Sequence, residues 1–170
     1  MKHLKKSSLL AFLMILAMFF AVSCDVAQEE DVTDTENEPS VFIDVPDNLI
    51  GTWEFNGQYA GEIYTITKDS FTNGYYTGNN AKVYKTDEKS GYIYIQYTKA
   101  MNADWTYSET APDVGKWYAV HYKDLTDSTL KLSGAYKADG KTATATIEEA
   151  KAEFTVDNGY FAGYSELEKK

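Results

Sequence analysis

Few side chains in this chain could do covalent or acid–base chemistry. It has two histidines, His3 and His121, and one cysteine, Cys24. A serine triad would have to use His121 as its base, yet no Gly-x-Ser-x-Gly elbow is present to hold the nucleophile. No His-Glu-x-x-His pair, glycine-rich phosphate loop or EF-hand loop occurs. Carboxylates are plentiful, 26 against 16 basic residues, but none are marked as a pair. Glu148-Glu149 reads as solvated charge on a helix, and a two-carboxylate glycosidase needs two acids held across a substrate. All the basic residues are lysine, so there is no planar guanidinium fork for phosphate. The net charge of −10 repels nucleic-acid backbones. The expectation is a chain that is not an enzyme, uses no cofactor or metal, and has no nucleic-acid partner. What it does carry is rings: 14 Tyr, 8 Phe and 3 Trp.

The amino terminus predicts where those rings are displayed. Met1–Lys6 holds three lysines and no acid, and Leu9–Val22 is an unbroken apolar run of 14 residues. A positive start, a short apolar run and small residues at its end describe a secretory signal, whereas a membrane-spanning helix needs roughly 20 apolar residues. The run closes on Ala21-Val22-Ser23-Cys24, which resembles the lipobox of bacterial lipoproteins. That resemblance implies cleavage after Ser23 and lipidation of Cys24, placing the chain in the bacterial cell envelope, outside the cytoplasm and anchored to a membrane. Lipidation would also consume the one thiol, leaving no disulfide, thiolate metal site or cysteine nucleophile.

Three segments follow: a signal over 1–23, the lipidated cysteine with an acidic linker over 24–40, and one domain over 41–170. Asp25–Ser40 contains seven acids and no lysine, with almost no large apolar residue. Such a segment cannot bury enough surface to offset its ordering entropy and is expected to be a disordered, self-repelling tether. The signal takes away three lysines and the tether holds seven acids. The domain itself, with 19 acids against 13 lysines, is only mildly acidic.

The domain must supply the elements that position the rings. Its aromatic and threonine-rich composition favours strands. Short runs at Gly51–Asn56, Glu62–Thr67, Ser70–Thr77, Ala81–Lys85, Gly91–Thr98, Lys116–Lys123, Thr129–Tyr136, Lys141–Thr146 and Phe154–Phe161 are separated by turn residues, including Gly78-Asn79-Asn80 and Asp139-Gly140. They predict an all-β fold, an up-and-down antiparallel barrel of about eight strands, which removes exposed edges. One helix interrupts, because Thr146-Ile147-Glu148-Glu149 is a capping box and Ile147, Ala150 and Phe154 recur at helical spacing. Lys99–Val114 reads as the longest unpaired stretch, either a lid over the barrel or a loop packed on its own aromatics.

Leu49-Ile50-Gly51-Thr52-Trp53 looks like the Gly-x-Trp start of the first strand in lipocalins and related calycin barrels. The resemblance covers about residues 45–170. It implies a lipocalin-like barrel whose floor Trp53 closes and whose interior holds a small apolar or aromatic ligand. One departure is that lipocalins stack a late Arg over that tryptophan; here only a late Lys could serve. Ile93, Ile95 and Tyr97 share one face of a strand, and Tyr118, Val120 and Tyr122 one face of another. These faces are expected to point inward because Leu130 and Leu132 continue the layer. The expected ligand contacts are Trp53, Tyr97, Tyr118 and Trp105. The alternative is a plugged barrel that works through its surface, as an interaction or carbohydrate-binding lipoprotein.

Overall fold

The computed structural model describes residues 41–55 and 62–170. The chain divides into two units, Met1–Asn37 and Glu38–Lys170, and every described residue belongs to the second. The predicted signal, Cys24 and the linker lie outside the described residues. Among the described residues there are nine strands and one helix. These are β1 (Gly51–Phe55), β2 (Ile63–Ile66), β3 (Ser70–Thr72), β4 (Thr77–Lys85), β5 (Gly91–Met101), β6 (Tyr107–Ser108), β7 (Trp117–Lys123), β8 (Thr129–Gly134), α1 (Ile147–Glu153) and β9 (Ser165–Lys169).

Strands adjacent in sequence are adjacent in space. The ring runs β1-β2-β3-β4-β5-β7-β8-β9 and closes where β9 pairs with β1. Every pairing is antiparallel, and β6 only extends the end of β5. The result is a closed eight-stranded up-and-down barrel with one short helix, compatible with a lipocalin-like fold. Closure gives each barrel strand a partner on both sides.

Both faces of the central strands are buried, for different reasons. Val83 pairs with Ile93, Ile93 with Val120, Ile95 with Tyr118 and Leu130 with Leu167, so one face of each strand looks into a common interior. Ile93, Ile95, Val120, Tyr122, Phe71 and Trp53 are all completely buried there. The opposite face, with Tyr92, Tyr94, Ala119 and His121, is covered from outside. Phe42 packs edge-on against Tyr94 at 5.4 Å, Phe161 meets Tyr92 at 5.6 Å, and Lys151 of α1 lies 4.0 Å over the Tyr84 ring. A wall buried on both sides explains why alternation in β5 and β7 puts aromatics on both faces.

The helix forms as its capping residues dictate. Thr146 Oγ1 accepts from the Glu149 amide at 3.1 Å, and the Glu149 carboxylate accepts from the Thr146 amide at 3.3 Å. Two turns are too short to be stable alone, so Ala150 and Phe154, both fully buried against the barrel, hold it in place.

Four local expectations are corrected. Lys141–Thr146 forms only an isolated bridge, Thr144 to Trp117. Phe154–Phe161 is not a strand either; Phe161 packs on Tyr92 and His121 of the outer wall at 5.6 and 5.4 Å, and fully buried Tyr160 packs on Phe154 at 5.0 Å. The last strand is β9, in which only Leu167 is buried, so its sequence Ser-Glu-Leu-Glu-Lys carries almost no apolar signal. Gly78-Asn79-Asn80 is not a turn but part of β4, where a register shift between Asn79 and Lys82 places Asn80 at φ 55. Lys99–Val114 is not unpaired throughout, because β5 continues to Met101 and β6 folds back on it.

One end of the barrel is a floor. Trp53 is completely buried, and its Nε1 donates to the Leu49 carbonyl at 2.9 Å. The late lysine is Lys169, whose Nζ lies 5.0 Å from the Trp53 ring centroid and donates to the Asn48 carbonyl at 3.4 Å. Gly51, at φ 150, leaves room for it: a Cβ there would stand 2.7 Å from Lys169 Cε. The β2–β3, β4–β5 and β7–β8 turns all lie at this end, and the Leu125 amide ties two of them together by donating to the Lys89 carbonyl at 3.1 Å.

Candidate functional site

The other end, the mouth, is built from the β3–β4 turn, the β5–β6 hairpin with its continuation to β7, and the segment after β8. A groove of about 670 Å³ opens there. Its floor is three tyrosines, Tyr76, Tyr97 and Tyr118, from three different elements. Their rings pack at 4.9 to 5.8 Å, and the Tyr118 hydroxyl donates to the Ala135 carbonyl at 3.1 Å. Burial, then the neighbouring tyrosines, pushes Tyr76 and Tyr97 well above the ordinary phenol range. Tyr118 is raised as well, mainly by burial. The floor is therefore neutral, packed and preorganised.

One wall is the β5–β6 hairpin. The Asn102 amide donates to the Thr106 carbonyl at 2.7 Å, and Asp104 accepts from the Thr106 amide at 3.1 Å and from its hydroxyl at 2.6 Å. Those two bonds from Thr106 hold the Asp104 carboxyl below its usual range. This pinned turn places Trp105 at φ 66 with its side chain 72% exposed. A bulky residue in the left-handed region costs of order 1 kcal/mol, and such strain concentrates at binding sites. Trp105→Gly is therefore expected to leave stability unchanged or raise it by up to about 1 kcal/mol. A urea melt checks this, and a clear loss would show that the ring is structural.

The facing wall is Tyr136–Thr142. The Tyr136 amide donates to the Tyr160 carbonyl at 2.9 Å, and the Lys141 amide donates to the Tyr160 hydroxyl at 2.8 Å. The same hydroxyl donates to Glu153 at 2.5 Å, so buried Tyr160 carries this wall. Tyr136 is left 70% exposed. At one point the walls are clasped, where the Thr142 hydroxyl donates to Asp113 at 2.6 Å.

Of the ligand contacts expected from sequence, Tyr97, Tyr118 and Trp105 line this groove together, and Trp53 lies at the floor instead. Cys24 is outside the described residues. Tyr76 and Tyr136 also line the groove and had no sequence signal beyond being tyrosines beside turns. Deeper in the barrel, Phe71, Ile93, Ile95 and Val120 are completely buried. A smaller hollow of about 430 Å³ runs along β8 and β9. Its Lys131 is already engaged by Asp124 at 3.1 Å and Glu166 at 3.2 Å, and Phe55 supplies its one ring. The mouth groove is the better-equipped site.

His121 does not reach the groove. It sits on the outer wall, where its Nδ1 lies 2.9 Å from the Tyr164 hydroxyl and its ring 4.7 Å from that of Tyr92. Burial, aided by Lys123, lowers its pKa to about 4. An imidazole held neutral in the fold but free to protonate when unfolded contributes stability that is full above pH 6.5. That contribution is lost as pH falls from 6.5 toward 4. Its expected size is about 2 kcal/mol after solvent screening. Unfolding free energies at pH 7.5 and 4.5 test this against His121→Gln: the variant should show a shallower pH slope, and an equal slope would refute the assignment.

Comparison with protein-family models, curated proteins and solved structures finds no match to this chain.

Proposed function

We propose that this chain is a membrane-anchored, lipocalin-like lipoprotein of the bacterial cell envelope. On this reading it is not an enzyme, and it binds a small ligand offering an apolar or aromatic face. The observation that carries the reading is the mouth groove, in which exposed Trp105 and Tyr136 stand above a floor of three packed tyrosines. Concave sites lined by rings with a few polar groups are the usual form of small-molecule sites. Completely buried interior side chains such as Phe71, Ile93 and Ile95 support a ligand held at the mouth rather than deep in the barrel. Anchoring rests on the lipobox-like Ala21-Val22-Ser23-Cys24. Leu49–Gly51 leads into β1 at the floor end, opposite the groove, which suits a domain held from its N-terminal side. Two or more acyl chains give stable attachment, since each buried methylene contributes about 0.8 kcal/mol.

Native mass spectrometry of the chain purified from its own membrane tests both halves. The expected result is a mass increment for the acyl groups, absent in Cys24→Ser, and a second, non-covalent increment lost in Trp105→Gly. No covalent increment would refute anchoring. An empty chain that also leaves tryptophan fluorescence unchanged across a library of ring compounds would refute ligand binding. The same buried interior residues suit a second reading, a surface-interaction protein, which a co-purifying protein partner together with an empty groove would support.

A further inference from the structure

We infer that the mouth groove takes a neutral saccharide, one pyranose ring stacking against Trp105 and Tyr136. This rests on the reading of the groove as a binding site and adds the class of ligand. Among the described residues three large aromatics are strongly exposed, Tyr75 at 60%, Trp105 at 72% and Tyr136 at 70%, and all three belong to the mouth. A ligand that is apolar throughout would bury these rings but also strip water from the polar groups between them. Lys137 and Asp139 border the same groove, and each would be desolvated without a new partner.

A sugar ring answers both demands. Its axial C–H face is apolar and matches the electron-rich face of an indole or phenol, while its hydroxyls replace the displaced water as donors and acceptors. Charge points to a neutral ligand. The groove is bordered by two lysines and two aspartates, Lys137, Lys141, Asp113 and Asp139. Lys141 is held by Glu153 at 3.2 Å and Asp113 by Lys116 at 2.9 Å. With the signs balanced and half the charges engaged, neither an anionic nor a cationic ligand gains from the field. Backbone strain adds a separate indication. Trp105 is held at φ 66 by a hydrogen-bonded turn that would accommodate glycine more easily, yet its ring is presented to solvent rather than packed.

The test uses the full chain in phospholipid nanodiscs and saturation-transfer NMR. The probes are the β-1,4-linked trimers of glucose, mannose and N-acetylglucosamine, with indole as a simple ring ligand. At least one trimer is expected to bind, with affinity reduced roughly tenfold or more in Trp105→Gly and in Tyr136→Ala, and with neither melting temperature lowered. If indole binds and is lost in those variants while no trimer binds, the saccharide inference is overturned and the groove stands as a ring-binding site. If neither binds, both readings fail. A trimer whose affinity is the same in both variants also overturns the inference, because the sugar then sits elsewhere.

Discussion

Trp53→Ala is expected to remove about 3–5 kcal/mol of unfolding free energy, the range for deleting a buried tryptophan. The ring is completely buried at the barrel floor, so its loss leaves a cavity between the first turn and the strands that converge there. Two further contacts go with it. The Leu49 carbonyl loses the indole N–H that satisfies it at 2.9 Å, and Lys169 loses the ring over which it lies at 5.0 Å. Against a total stability of about 5–15 kcal/mol, the change lowers the melting temperature by more than about 10 °C. Trp53→Phe separates the causes: it keeps most of the apolar area but strands the carbonyl, for a loss of about 1–3 kcal/mol. Urea titration followed by far-ultraviolet circular dichroism reads both. A loss below about 1 kcal/mol for the alanine variant would mean that the floor repacks without the indole, and its role as the closing layer would be wrong.

The second large effect comes from adding one methyl group. A Cβ at Gly91 would stand 2.4 Å from the Tyr84 carbonyl oxygen, 2.9 Å from the Tyr122 hydroxyl and 3.0 Å from Lys85 Cα. Two of these are backbone atoms in the strand paired with β5, so they cannot swing aside as a side chain would. Gly91→Ala therefore has to spread β4 from β5 and is expected to cost about 3 kcal/mol, at the upper end for overpacking. Tyr122 gives an internal control. Its hydroxyl has no hydrogen-bond partner among the described residues, so Tyr122→Phe alone changes stability by less than about 1 kcal/mol. Because the closest clash is with the Tyr84 backbone, Tyr122→Phe does not rescue Gly91→Ala. Gly163→Ala, with no atom within 4 Å of the added carbon, should stay within about 0.5 kcal/mol of the parent. A Gly91→Ala variant as stable as Gly163→Ala would show that the hairpin end is far looser than its packing indicates.

The capping box at Thr146 and Glu149 and the Gly51-x-Trp53 entry were legible in the sequence. So were the inward faces Ile93/Ile95/Tyr97 and Tyr118/Val120/Tyr122, and most strand positions. Each is a short-range signal: a cap closes within one helical turn, and a strand shows its buried face at every second residue. The errors fell where that logic breaks. β9 buries only Leu167 and so resembles a charged tail, although closure of the barrel depends on it. Phe154–Phe161 resembles a strand because it is apolar, but Phe161 covers Tyr92 of β5 and His121 of β7, a surface that exists only once those strands have paired.

The groove was legible only in pieces. Tyr97, Tyr118 and Trp105 could be suspected as rings near strand ends, but nothing local joined them to Tyr76 or Tyr136. Those five residues come from the β3–β4 turn, β5, the β5–β6 hairpin, β7 and the segment after β8. They meet because an up-and-down barrel returns alternate connections to the same end, and because contacts such as Thr142 to Asp113, 29 residues apart, hold the walls together. The sequence determined most of the strands, the cap and the ring-rich composition, all of which act over a few residues. Tertiary structure alone decided which late lysine, Lys169, lies over Trp53 at the sealed end and which rings remain exposed at the other. Both outcomes depend on closure of the sheet, which brings together residues that no local pattern relates.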